Sequence, residues 1–263
     1  MTPRTWSRPH LIPNPWLRAA LCGGVVAYLV FAIGSLEFNG SRVALGIDKG
    51  WRLLRAFLRP DFGARWSEIV AGMRESLAMT VCATVAGVAL SIPIGIGAAR
   101  NLVPRPVYFV CRALVAVSRS LQEIIVAILF VAMVGFGPFA GFLTITFATI
   151  GFLAKLLAED IEDIDGASLE AITATGGGWL QRFDYAVRPQ IMPRLVGLVL
   201  YRLDINFRES AVVGIVGAGG IGATLNTAIE RYEFDVAAAI LAIIVVIVMA
   251  AEYASSHLRR WAR

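Results

Sequence analysis

Charge is scarce in this chain of 263 residues: 16% are Asp, Glu, Lys or Arg, against 57% hydrophobic. Soluble domains run at about 25% charged and about 45–50% apolar, so the composition argues against a soluble globular protein. Histidine is limited to His10 and His257. Neither H-E-x-x-H nor G-x-S-x-G occurs, which leaves a membrane-embedded enzyme, the alternative from another class, little to work with. G-x-x-x-x-G-K-[ST] is also missing, so the chain has no P-loop for ATP. The cysteines Cys22, Cys82 and Cys111 lie in apolar stretches without metal-ligand spacing or a paired framework, and read as buried thiols acting as small hydrophobes. A net charge of +5 and a pI near 9.4 do not mark a nucleic-acid binder, because the basic residues sit mostly at the ends of apolar runs.

Apolar runs are what the chain has in abundance, and mean hydropathy is +0.70. A helix needs about 20 apolar residues to cross a bilayer. Spans are expected at 19–36, 76–99, 108–134, 139–157, 191–213 and 236–254. The first follows Arg4, Arg8 and Arg18, as a signal peptide would. Its apolar run is longer than the usual h-region and no small-x-small site follows closely, so it reads as a retained span. No repeat is visible, and one membrane domain over 1–263 is expected, with an extra N-terminal span at 17–36 and a core at about 75–258. Arg100, Arg105, Arg182, Arg188, Arg194, Arg259, Arg260 and Arg263 mark one side of the membrane, which places both termini in the cytoplasm. Residues 37–75 then lie outside, and 49–59 reads as an amphipathic helix on that surface.

The expected spans carry charges. Arg119 and Glu123 stand four apart in one, as do Asp204 and Arg208 in another, and each couple is placed to pair along a helix. Gly135-Phe136-Gly137-Pro138 has turn chemistry. Between the fourth and fifth spans lies a polar stretch in which Asp165 is a candidate N-cap for a short helix. Leu169, Ile172 and Gly176 share one face of it, Gly176, Gly177 and Gly178 end it, and Pro189 and Pro193 mark entry to the next span. A short amphipathic element of this kind suits docking into a groove on a soluble partner; resting on lipid headgroups is the plainer reading. Gly217-Ala218-Gly219-Gly220-Ile221-Gly222 satisfies G-x-G-x-x-G, but a membrane span follows instead of a βαβ unit. These glycines instead let a helix break and backbones approach. Irregular backbone at membrane depth is tolerated only where it is buried in protein or lines a cavity, so this loop is a candidate gate.

The stretch around Glu170 resembles the EAA loop of ABC importer permeases: Glu170, Ala171, Gly176 and Pro189 stand at the family's spacing. Ile172 replaces the second Ala, and Ala186 and Arg188 stand where an apolar Ile and Leu are usual. Four further stretches are similar to phosphonate-type permeases: 206–222, beginning Asn206-Phe207-Arg208-Glu209; Pro189-Gln190-Ile191-Met192-Pro193-Arg194; Arg119-Ser120-Leu121-Gln122-Glu123; and 134–141 around Gly135-Phe136-Gly137-Pro138. The resemblance covers roughly 75–240.

It implies an all-α integral membrane protein of the type I ABC importer permease fold, with about six transmembrane helices and a cytoplasmic coupling helix. It implies the permease subunit of an ATP-driven importer that moves phosphonate or a related phosphorus oxyanion across the bacterial cytoplasmic membrane by alternating access. Methionine or phosphite is the same-class alternative. The implied partners are a second copy of the chain, two ATP-binding cassette subunits that hold the ATP and Mg, an extracytoplasmic substrate-binding protein and the lipid bilayer. No catalytic residue, cofactor, metal or nucleic acid is expected in or on this chain. Glu170, Ala171, Gly176 and Pro189 are the implied ATPase-coupling residues. Asn206, Arg208, Gly217, Gly219, Gly220 and Gly222 are the candidate gate and path, with Arg208 either meeting the anion or serving only Asp204.

Overall fold

The computed structural model describes residues 12, 14–35 and 40–261. All regular structure among them is helical. The chain divides into two compact units, Met1–Leu54 and Arg55–Arg263. In the first, α1 (Pro15–Ser35) starts on a proline, whose missing N–H is one the first helical turn leaves unpaired anyway. None of its residues is buried, as befits an apolar helix whose solvent is lipid. Helix α2 (Gly40–Phe57) contains most of the stretch read as amphipathic and stops before Arg59-Pro60, where a proline disfavours helix in the residue before it.

The second unit is built on α3 (Trp66–Gly97) lying against α6 (Pro138–Glu162). Small residues let them approach: a Cβ on Gly87 would come within 2.5 Å of Thr149, and one on Gly95 within 2.9 Å of Leu157. An apolar cluster of Ile69, Met73, Phe207, Ile221 and Leu225 gathers near the start of α3, and another of Ala99, Leu157, Ile161, Val187 and Ile191 near its end.

The segment read as one span at 108–134 is two helices, α4 (Arg105–Ser120) and α5 (Glu123–Val134), bent by 95°. Leu121 and Gln122 between them are extended, a conformation open to any residue, so no glycine or proline announces the break. It parts Arg119 from Glu123, so the expected pair gives way: Glu123 meets Arg202 at 3.4 Å. As the first residue of α5, Glu123 also sits where a helix favours negative charge. Gly135 (φ +89°) and Gly137 (φ +137°) turn the chain into α6, as their turn chemistry foretells.

Short helices α7 (Gly166–Ala174) and α8 (Trp179–Arg182) lead into a π-type turn, Phe183–Val187, and then α9 (Arg188–Val213). Pro189 has no N–H for the carbonyl four residues back, and just before it Arg188 N–H bonds to Phe183 O, widening the helix by one residue. A second π-type turn, Gly214–Ala218, precedes α10 (Gly220–Glu230), and α11 (Phe234–Trp261) closes the unit. The helical path from Trp179 to Ala218 meets α10 at a bend of 57°. Among the described residues four helices are long and apolar enough to cross a membrane, and the count reaches six if each bent pair is one span. The cysteines correct an expectation: Cys22 and Cys82 are exposed and Cys111 half-buried. Cys22 and Cys82 sit on outward faces of their helices, whereas Cys111 lies against Gly97 at the end of α3.

Candidate translocation path and coupling surface

The glycine segment after α9 forms a sharp break locked onto its neighbours. Gly217, Gly219 and Gly220 have φ of +95°, +77° and +71°, a region that L side chains rarely adopt. Close approach adds to this. A Cβ on Gly219 would lie 2.7 Å from Pro138 N, and those on Gly217 and Gly222 would collide with the Phe136 ring and the Ala211 carbonyl. Gly137 N–H donates to Gly217 O at 3.0 Å, tying the break to the α5–α6 turn. At the start of α10, Gly220 N–H donates to Glu75 Oε2 (3.1 Å) and Ile221 N–H to Ser76 Oγ (2.9 Å), so α3 satisfies two donors that a helix start leaves open. An open cavity of about 570 Å³ flanks the break, lined by Glu75, Phe136, Pro138, Val216, Asn226 and Thr227 among others. Gly217 and Gly219 line it too, whereas Gly220 and Gly222 are buried.

The polar residues of α9 part company. Asn206 is fully buried; its Nδ2 donates to Thr84 Oγ1 (2.8 Å) and Thr149 Oγ1 (3.0 Å), joining α3, α6 and α9. It therefore lines no open surface of this chain. Arg208, two residues on and so on another side of the helix, is half-exposed and pairs with the buried Asp204, the couple expected from their spacing.

Arg202 is the residue that sequence reasoning left without a role. It is 3% exposed. Its guanidinium donates to both oxygens of Glu209 (3.2 and 2.9 Å), to Glu123 Oε1 (3.4 Å) and, through Nε, to Thr149 Oγ1 (3.3 Å). It also stands 5.2 Å from the centre of the Phe152 ring. The available signal was the seven-residue spacing of Arg202 and Glu209, two turns along one face.

On the remaining surface, α7 is capped as expected: Asp165 Oδ1 accepts Ala167 N–H at 3.0 Å. Leu169 and Ile172 are half-buried, with Leu169 packed on the cluster around Ile161, while Glu170, Ala171 and Gly176 are exposed. The apolar face is thus turned partly inward, and what α7 presents outward is small and polar. Gly176 adopts φ +81°. Gly177 N–H bonds back to Ile172 O at 3.1 Å and Gly178 N–H to Gln181 Oε1 at 2.8 Å, so α7 and α8 are tied by a tight turn. Pro189 is exposed in the first turn of α9. Among the described residues no group of His, Cys, Asp and Glu is placed to hold a metal ion.

Residues 91–262 match the family of binding-protein-dependent transport system inner membrane components. The chain is 41% identical over 254 residues to the phosphate-import permease protein PhnE of Mycolicibacterium smegmatis, covering 96% of this chain and 48% of that protein. It thus spans about half the length of that relative. It is 34% identical over 244 residues to the phosphite transport system permease protein PtxC of Stutzerimonas stutzeri, covering 92% of this chain and 88% of that protein. Among solved structures, a chain of the inward-facing MetNI methionine ABC transporter aligns with a TM-score of 0.63 at 25% identity, covering 74% of this chain and 96% of that one.

Proposed function

The chain belongs to the family of binding-protein-dependent transport system inner membrane components, and from that premise we propose that it is the permease subunit of an ATP-driven importer of phosphorus oxyanions. It is a multi-pass membrane protein with the fold of type I ABC importer permeases. The observation that carries the proposal is α7: a nine-residue helix, capped by Asp165, that holds Glu170 and Ala171 in solvent between two spans. Here it is the coupling helix, with Glu170, Ala171, Gly176 and Pro189 facing an ATP-binding cassette subunit that holds ATP and Mg.

Two copies of the chain form the path, two ATPase subunits sit on the cytoplasmic side with both termini, and a substrate-binding protein delivers solute from outside. ATP binding acts by stabilising one arrangement of the spans over the other, which is all that a shift between outward-open and inward-open states requires. The solute class follows the relatives named for phosphate and phosphite, at 41% and 34% identity, rather than the methionine transporter structure at 25%. The break at Gly217, Gly219, Gly220 and Gly222 serves as the gate, and Asn206 supports the path from within. Arg208 is the residue for the anion: its guanidinium is a fixed planar fork suited to oxyanions, held by Asp204 at one edge and exposed at the other.

The test is ATP-driven uptake of labelled phosphate, phosphite and a phosphonate into vesicles holding the full complex. Uptake of none of the three defeats the solute class. For Arg208, the double variant Asp204→Asn/Arg208→Gln keeps membrane abundance but loses uptake, and Arg208→Lys retains a part of it. Near-normal uptake by the double variant leaves Arg208 as the partner of Asp204 alone.

A further inference from the structure

The segment 98–102, which leaves α3, is gripped from several directions. Arg112 of α4 donates from Nε to Ala98 O at 2.9 Å. Glu162, the last residue of α6, accepts the Arg100 N–H (2.8 Å) and the Arg112 guanidinium (3.0 Å to each oxygen). Asn101 Nδ2 donates to Ile161 O at 2.7 Å. The remaining hold comes from the first residue of α8: Trp179 Nε1–H donates to Leu102 O at 3.0 Å, while the indole stacks on Phe183, 5.8 Å between centres and 9° between planes.

Trp179 is not free to move apart from α7. Gly177 N–H on Ile172 O and Gly178 N–H on the side chain of Gln181 bind the end of α7 to α8. There is no room in that turn either, since a Cβ on Gly177 would lie 2.7 Å from the Ile172 side chain and 2.9 Å from its carbonyl oxygen. A displacement of α7 therefore carries Trp179 with it, and the indole N–H delivers it to Leu102. From there Glu162, Asn101 and Arg112 pass it to the end of α6 and the middle of α4. Phe183, on which the indole rests, opens the π-type turn that Pro189 forces, a deformable place in the helix and so a place for the segment to pivot.

We infer that Trp179 is a positioning residue for energy coupling, a strut that carries motion of α7 to the junction of α3, α4 and α6, with Glu162 as the receiving clamp. This rests on the permease reading given above. A strut has a property that a mere packing contact lacks. Removing its single directional bond leaves ATP hydrolysis running while transport falls behind it.

The experiment uses the full complex in vesicles, with ATP turnover and solute uptake measured on the same preparation. Trp179→Phe keeps a ring on Phe183 and loses the donor to Leu102. Solute moved per ATP hydrolysed should fall about two- to thirtyfold, the span expected when a link in a coupling network is cut, with ATP turnover and membrane abundance unchanged. Glu162→Gln weakens the receiving clamp on Arg112 and should lower the same ratio, so the idea stays testable if Trp179→Phe assembles poorly. A parental ratio in assembled Trp179→Phe, or in assembled Glu162→Gln, overturns the strut while leaving the permease reading in place. A parent complex that neither hydrolyses ATP in response to its binding protein nor moves solute defeats the permease reading and the strut with it.

Discussion

Two glycine-rich segments, 214–222 and 166–178, look alike in the sequence and are opposites in the structure. In the first, glycine is demanded by what already fills the space. A Cβ on Gly214 would lie 2.5 Å from Gly219 O and 2.7 Å from the Gly222 Cα, and one on Gly222 would run into the Ala211 carbonyl. In the second, Gly166 and Gly176 have nothing within 4 Å of where a Cβ would be, and Gly177 is crowded by Ile172 of its own turn. One segment has its neighbours inside the chain; the other is held in shape by its own turns and leaves its surface open. Glycine content therefore does not separate a packed segment from an open one, whereas the occupancy of the space around each glycine does.

Substitutions sharpen the contrast. The largest effect is expected from Gly222→Ala, where the added methyl has only backbone to meet. Overpacking of this kind costs about 3 kcal/mol, so the melting midpoint of the detergent-purified protein should fall well below that of the parent. A parental melt would erase the distinction between the two segments. At Gly176→Trp the balance reverses. A side chain at φ +81° costs about 1–2 kcal/mol for the left-handed backbone, with no neighbour to displace, so the protein should stay folded and in the membrane. Its indole would still stand in the way of a docking ATPase, and normal substrate-stimulated ATP turnover in reconstituted vesicles would sink that idea. Smallest of all is Gly166→Ala, in open space at the start of α7. Its melt should lie within about 0.5 kcal/mol of the parent, the range of an unremarkable surface change.

The sequence was most legible where the physics is a sum over many residues. The apolar runs at 139–157 and 236–254 lie inside α6 and α11, and the run at 76–99 overlaps all but the first turns of α3. The cap at Asp165 and the pair Asp204–Arg208 were legible too, because both depend on residues a few positions apart. What failed depends on distant partners. Helix α3 begins ten residues before the apolar run, because Arg65 is matched by Glu68 and Glu233 and Glu75 finds the amide of Gly220. The elbow at Leu121-Gln122 has no local cause; it is supported by Arg202, 79 residues beyond Glu123. Asn206 reads in the sequence as a path residue beside Arg208, but its own partners were not legible there. They are two threonines from other helices, Thr84 and Thr149.

The elbow also bears on how the chain enters its membrane. Helix α5 has 12 residues, a length of about 18 Å against a hydrocarbon layer of about 30 Å. It begins with a carboxylate, and α4 before it carries Arg119 in its last turn. Neither half is long and apolar enough to cross a bilayer by itself. Only three residues, Gly135, Phe136 and Gly137, separate α5 from α6, whose apolar length is sufficient by itself. Helix α5 therefore depends on α6 to cross the hydrocarbon layer, the two forming one hairpin. Glu123 gains its partner Arg202 only when α9, far along the chain, is in place.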